Sequence, residues 1–263
     1  MANIEETDIP EAPKRRLRPD LILPVLFRPG RTLREIVHEE ASTWLAPLLL
    51  LTLLVIVSAL VAGPLRIQAA MNTPPVLPAD FEFYSPEMQQ QFYEANQPNT
   101  SPLFMYVFPI VGGVLGVWVG WFLLSAILHV ILTLSGSRGS RAADFSLAGW
   151  SMLPFAVRTI VQIVYMLVTR QMISRPGVSG FIPADATGGM AFLASLLSLV
   201  DIYLVWQLIL LVIGATNGSG LMRGKVVGAV ALSLVVLLAL QALPGFAGVQ
   251  LSGLTVNRSF FFF

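Results

Sequence analysis

Five long apolar runs separated by shorter polar stretches dominate the chain. They cover about residues 44–63, 103–134, 146–168, 190–215 and 226–243. At 1.5 Å of rise per residue, each is long enough, or nearly so, to cross a hydrocarbon core of about 30 Å as a helix. Ahead of the first run stands "LFRPGRTLREIVHEE". Its Leu33, Ile36 and Val37 share one helical face, and Thr32 followed by Glu35 has capping-box spacing. This predicts an amphipathic helix over 32–43, lying along the membrane surface. The expected fold class is all-α: a polytopic five-helix transmembrane bundle (44–245) behind that helix. Residues 1–31, with Pro10, Pro13 and Pro19 among mixed charges, are expected to form a disordered tail, and 246–263 an external C-terminal tail.

Composition agrees with a membrane-embedded chain: 55% of residues are hydrophobic and 12% charged. The absence of cysteine excludes disulfides, thiol nucleophiles and thiolate metal sites. No cleavable signal peptide is expected, since the first apolar run follows a long polar leader. Net charge says little, but its distribution gives an orientation. With the N-terminus inside, the inner segments hold eleven cations: Lys14, Arg15, Arg16, Arg18, Arg28, Arg31, Arg34, Arg138, Arg141, Arg223 and Lys225. The outer ones hold four: Arg66, Arg170, Arg175 and Arg258. The positive-inside rule then places the N-terminus in the cytoplasm and the C-terminus outside, in a plasma (inner) membrane. Arg28, Arg31, Arg34, Arg223 and Lys225 are the candidate contacts to anionic lipid or a protein partner.

The longest outer loop, Pro64–Pro102, carries Asp80, Glu82, Glu87 and Glu94. Ser85-Pro86-Glu87 predicts a short helix, since Ser caps and Pro suits the first turn. The loop's aromatics, Phe81, Phe83, Tyr84, Phe92 and Tyr93, suit the headgroup level, although a lid that merely covers the bundle is the plainer expectation. The terminal "NRSFFFF" is read equally as an anchor or as an uninformative apolar end.

Two ionised side chains fall deep inside predicted spans: Arg158 in the third and Asp201 in the fourth. Counted along continuous helices, they lie roughly 18 Å and 16 Å from opposite faces, both near the midplane. A lone charge there costs about 2.5–3.5 kcal/mol, so the two are expected to pair. Ser151, Pro154, Arg158, Gln162, Tyr165 and Thr169 form a polar stripe at steps of three and four, and Ser195, Ser198 and Asp201 follow at steps of three. An intramembrane clasp of Arg158, Asp201, Gln162 and Ser198 is expected to fix helix register. The competing reading is a transport site. The spans offer no second acid for a proton relay, which favours the clasp.

Gly112, Gly116 and Gly120 form two overlapping G-x-x-x-G steps and are expected to admit a close helix, from this chain or from a second copy in a homo-oligomer. His129 is expected to be a hydrogen-bonded structural residue; a pigment or haem ligand is the weakest alternative. No catalytic, cofactor-binding or metal-binding residues are predicted. "HEEAS" has Ser42 where H-E-x-x-H needs its second histidine, and "SGLMRGKV" lacks both the leading glycine and the Ser/Thr of a phosphate loop.

Three segments carry a family resemblance: "LFRPGRTLREI", "AGWSMLPFAVRTI" and "SLVDIYLVWQLILLVIGA". Together they resemble the bacterial branch of the YIP (Ypt-interacting protein) family, from about Leu26 to Leu243. The most specific pieces are Ser151 with Pro154, and Asp201, Trp206 and Gly214. The resemblance implies a polar cytoplasmic N-terminal region, five membrane helices and no enzymatic activity or cofactor. Eukaryotic members bind prenylated Rab-type GTPases, and some bacterial members are linked to ABC-type export systems. It therefore implies a scaffold or accessory subunit whose partners are the lipid bilayer and other membrane proteins, not nucleic acid. The acidic outer loop and the phenylalanine tail fall outside the family pattern.

Overall fold

A computed structural model describes residues 17–39, 41–75, 77–173, 177–182 and 189–251. Ten α-helices are described: α1 (Ile22–Phe27), α2 (Pro29–His38), α3 (Leu45–Asn72), α4 (Pro86–Ala95), α5 (Phe108–Leu134), α6 (Arg141–Ser151), α7 (Leu153–Thr169), α8 (Gly189–Ser198), α9 (Ile202–Gly218) and α10 (Arg223–Leu251). Among the described residues all regular structure is helical. A π-helical turn, Leu103–Val107, leads into α5. Residues 1–16, on which much of the expected disordered tail falls, and 252–263 lie outside the described residues.

Four spans are long and apolar enough to cross a membrane as single units: 45–72, 103–134, 141–169 and 223–243. The first overruns its expected end, continuing as helix through Pro64 to Asn72. The third begins at Arg141 rather than Ser146, because Ser140 caps it by accepting a hydrogen bond from the Ala143 amide. The fifth starts at Arg223 and its helix runs to Leu251, into the expected C-terminal tail.

The fourth span is not the continuous helix expected over 190–215. It breaks between Ser198 and Ile202, and its two halves are bent by 67°. Gly177, at φ 62°, turns the preceding loop so that the Val178 amide donates to the Leu197 and Val200 carbonyls, 3.1 Å each. The Leu197 carbonyl also accepts from the Val200 amide, 3.2 Å, so the Val178 amide ties both sides of the break to the loop.

Helices α3, α7, α9, α10 and α5 form a ring in which each packs on the next. Helix α6 enters it from one end and touches α2, α3, α5, α7 and α9. Every residue from Ser146 to Pro154 is buried. Leu124, Leu128 and Leu132 on α5 and Leu210 and Leu211 on α9 close around Leu147, Trp150 and Leu153. Lipid tails are as apolar as these side chains, so close fit rather than water exclusion holds most of this bundle together.

The N-terminal segment differs from expectation. Residues 19–27 are helical, not part of a tail, and α2 begins at Pro29, three residues before Thr32. Thr32 is not a cap: its hydroxyl donates to the Arg28 carbonyl within the helix, 3.0 Å. Proline at the first helical position starts the helix instead. The apolar face of α2 does not enter lipid. Leu33 and Ile36 are fully buried against α9 and α6, so the amphipathic pattern faces protein.

Candidate functional site

Arg158 on α7 and Asp201 at the head of α9 form an ion pair, Nη1 to Oδ2, at 3.2 Å. Asp201 lies on extended backbone just outside α9, and its Oδ1 accepts from the Tyr203 and Leu204 amides at 3.0 and 2.9 Å. One carboxylate oxygen therefore caps a helix, while the other meets the guanidinium. The depth assigned to Asp201 from a continuous helix is corrected accordingly. Measured along the actual helices, Arg158 is 17 residues from Arg141 and Asp201 is 17 residues from Gly218, roughly 25 Å in each case. The two depths match, but well past the midplane as counted from that end.

A cavity of about 390 Å³ opens beside the pair, lined by Gln162, Ile173, Val178 and Tyr203 among others. Gln162 thus shares the site. Ser198 does not join it: its hydroxyl donates to the Ser195 carbonyl of its own helix, 2.7 Å. The break after Ser198 cancels the step of three that linked it to Asp201. The stripe on the third span also divides. Ser151 and Pro154 are buried in the core, Arg158 and Gln162 face the cavity, and Tyr165 and Thr169 are exposed.

A second polar pair sits at the opposite end. His129 Nδ1 on α5 is hydrogen-bonded to Asp144 Oδ2 on α6 at 2.7 Å. Asp144 lies two residues ahead of the apolar run that marks the third span in the sequence, so hydropathy alone leaves it outside that span. Nearby, the Trp150 indole donates to Thr43 Oγ1 (3.0 Å), and the Thr43 amide donates to Ser146 Oγ (3.0 Å). These bonds tie the linker before α3 to the buried stretch of α6.

The glycines divide unexpectedly. A side chain at Gly112 would meet open space, and one at Gly120 only the Gln241 side chain. Close approaches occur elsewhere, among them Gly63 against Tyr106, Gly113 against Val55, Gly149 against Trp44, and Gly214 against Leu147. The register of the G-x-x-x-G series is therefore not what packs Gly112. Gly116 is half-buried.

Arg28, Arg31, Arg34, Arg223 and Lys225 are all exposed. Arg34 reaches the Asn217 side chain near the end of α9, 3.3 Å. Arg18, not singled out by sequence, is the organiser of this end. It pairs with Asp20, Glu35 and Glu39 at 3.0, 2.9 and 3.3 Å. Hydrogen bonds to Asp20 first, then Glu35, hold its guanidinium above the ordinary arginine range.

The apolar spans, the part-buried polar pairs and the helical ring define a multi-pass helical membrane protein. The Yip1 domain family model matches residues 23–243, and the chain belongs to that family. The family is not known as enzymatic. No curated protein and no solved structure matches the chain. The family segments acquire physical roles here. Gly149 and Trp150 seat α6 in the ring, Pro154 lies in the first turn of α7, Asp201 caps α9 and Gly214 admits Leu147.

Proposed function

We propose that the protein is a non-catalytic scaffold or accessory subunit of a larger assembly in the plasma (inner) membrane, of bacterial YIP type, with its N-terminus in the cytoplasm. The observation that carries this reading is the N-terminal platform. Helices α1 and α2 are fixed to the bundle through Val25, Leu33 and Ile36, all fully buried. Their outer side presents Leu23 (64% exposed) and Phe27 (79% exposed) beside Arg28 and Arg31. A rigid surface mixing exposed apolar and basic groups suits a membrane-protein partner or an anionic bilayer surface. The exposed Arg223 and Lys225 are candidates for the same surface, and a second copy of the chain is one candidate partner. Co-purification from mild detergent tests this reading. Partners should be retained by the native chain and lost on Phe27→Glu with Arg31→Glu, at unchanged thermal stability. A strictly monomeric particle without partners overturns it.

A second reading has one observation in its favour: the fourth span breaks at Asp201, beside a cavity. Broken helices with charged groups at the break are a transporter device. In that case Asp201→Asn abolishes flux in proteoliposomes while the chain stays folded. If the variant is instead destabilised and no flux is found in the native protein, the clasp role stands alone.

A further inference from the structure

We propose that two loops joined at the α2 end of the bundle form a docking surface for the anionic phospholipid headgroups of the adjacent leaflet. The inference rests on the scaffold reading for this side of the molecule and names one partner there. The loops are residues 135–140, between α5 and α6, and 219–222, between α9 and α10. Each turns at a glycine in left-handed backbone, Gly136 at φ 97° and Gly220 at φ 68°. They meet through the Arg138 amide, which donates to the Ser219 carbonyl at 3.3 Å. They also meet at Gly139, where a side chain would crowd the Gly218 carbonyl. Two residues before Ser219, Asn217 holds Arg34 of α2. Segments remote in the chain thus bring their charges to one end of the bundle.

Charge selects the partner. Residues 135–144 and 219–225 hold four cations, Arg138, Arg141, Arg223 and Lys225, and one acid, Asp144. The acid is buried and bound to His129, whereas all four cations are exposed. Arg141 also stands over the Phe145 ring, 5.1 Å from its centre, which leaves its charge in place. None of the four meets an acid within ion-pair distance among the described residues. The α2 acids Glu35 and Glu39 are held by Arg18. Position selects the source of negative charge. One loop leaves a span at Leu134, and the other enters a span at Arg223. Both loops are short and fastened to each other, so their cations stay close to the span ends, at headgroup level, where a cation near an anionic leaflet is favourable. Leu134 (83% exposed) and Met222 (79% exposed) stand at the same level. Apolar side chains that reach the acyl boundary, beside cations that meet phosphate, compose an interfacial surface.

Native mass spectrometry of the full chain in detergent tests the proposal, with phosphatidylglycerol, phosphatidylcholine or inorganic phosphate added. The native chain should retain phosphatidylglycerol in preference to phosphatidylcholine, and the preference should weaken as salt is raised. Arg223→Gln should lower phosphatidylglycerol retention about fivefold, the effect of one cation at an anionic surface, and Arg223→Lys should keep most of it. Arg138→Gln, Arg223→Gln and Lys225→Gln together should abolish the preference. Arg170→Gln removes one charge at the far end of α7 and should change nothing. Equal retention of the two lipids by the native chain overturns the proposal without recourse to any variant. Unchanged retention by the folded triple variant also overturns it. So does a fall with Arg170→Gln as large as with Arg223→Gln, since net charge rather than place would then decide. Displacement of phosphatidylglycerol by millimolar inorganic phosphate overturns the lipid assignment in favour of a small-anion site. A chain without lipid preference that still retains protein partners overturns this inference alone, and a preference without partners overturns the scaffold reading alone.

Discussion

Asp201 divides its carboxylate between two tasks: Oδ2 lies 3.2 Å from Arg158 Nη1, while Oδ1 caps α9 through the Tyr203 and Leu204 amides. The two tasks separate by mutation. Asp201→Asn keeps a capping oxygen but leaves Arg158 without its counter-ion, at a cost of about 3 kcal/mol. Asp201→Ala also loses the cap and should cost about 1 kcal/mol more. Exchanging the charges, as Arg158→Asp with Asp201→Arg, should restore the pair but not the cap, because arginine has no acceptor for the amides. Thermal unfolding in detergent should rank the native chain first, then Asp201→Asn, then Asp201→Ala, with the exchange variant short of full recovery.

Gly214 and Gly112 make a paired test of packing. A methyl group at Gly214 would collide with Leu147, whereas one at Gly112 meets nothing within 4 Å. Gly214→Ala should therefore destabilise by about 1–3 kcal/mol, and Leu147→Ala should relieve part of that. Gly112→Ala should show no loss. Melting temperatures of the three variants and the double variant check this.

Trp150 is fully buried, and its indole is held by Thr43. Trp150→Phe keeps most of the ring volume and leaves the Thr43 hydroxyl without that donor. Stability should fall by about 1–3 kcal/mol, and Thr43→Val in the same chain should add little. A double-mutant cycle measured by thermal unfolding gives the coupling.

Helix α4, in the long loop between the first two spans, should respond to pH. Its first turn holds the Glu87 carboxylate below the usual range, through the residue's own amide first and the Ser85 hydroxyl second. A depressed carboxylate stabilises the helix above its unfolded-state pKa and ceases to do so as pH falls through the folded value. Amide exchange at Met88 to Gln90, corrected for intrinsic rates, should speed up on acidification below the ordinary glutamate range. Glu87→Gln should remove that dependence.

The cysteine-free sequence allows a direct test of orientation. Single cysteines placed at Arg31 and Arg223 should be labelled by an impermeant maleimide only after the cytoplasmic side is opened. One at Gln90 should be labelled from outside in intact cells. Labelling of all three from the same side would overturn the proposed topology.

Most of the fold follows from local pattern. An apolar stretch of some twenty residues in lipid has to satisfy its own backbone hydrogen bonds, so five runs imply helical spans whatever their neighbours. The pairing of Arg158 with Asp201 was legible for a similar reason, since charge at membrane depth seeks opposite charge. Tertiary contacts decided what periodicity could not. An amphipathic stripe on α2 looks the same whether it meets lipid or protein, and only the grooves of α6 and α9 turned it inward. Asp201 reads equally as a mid-helix residue or as a cap, and the loop at Gly177 and Val178, which donates across the break to the Leu197 and Val200 carbonyls, braces the break that makes it a cap. Glycine spacing does not show which glycine faces a neighbour. That depends on where Leu147, Trp44 and Val55 arrive from segments remote in the chain.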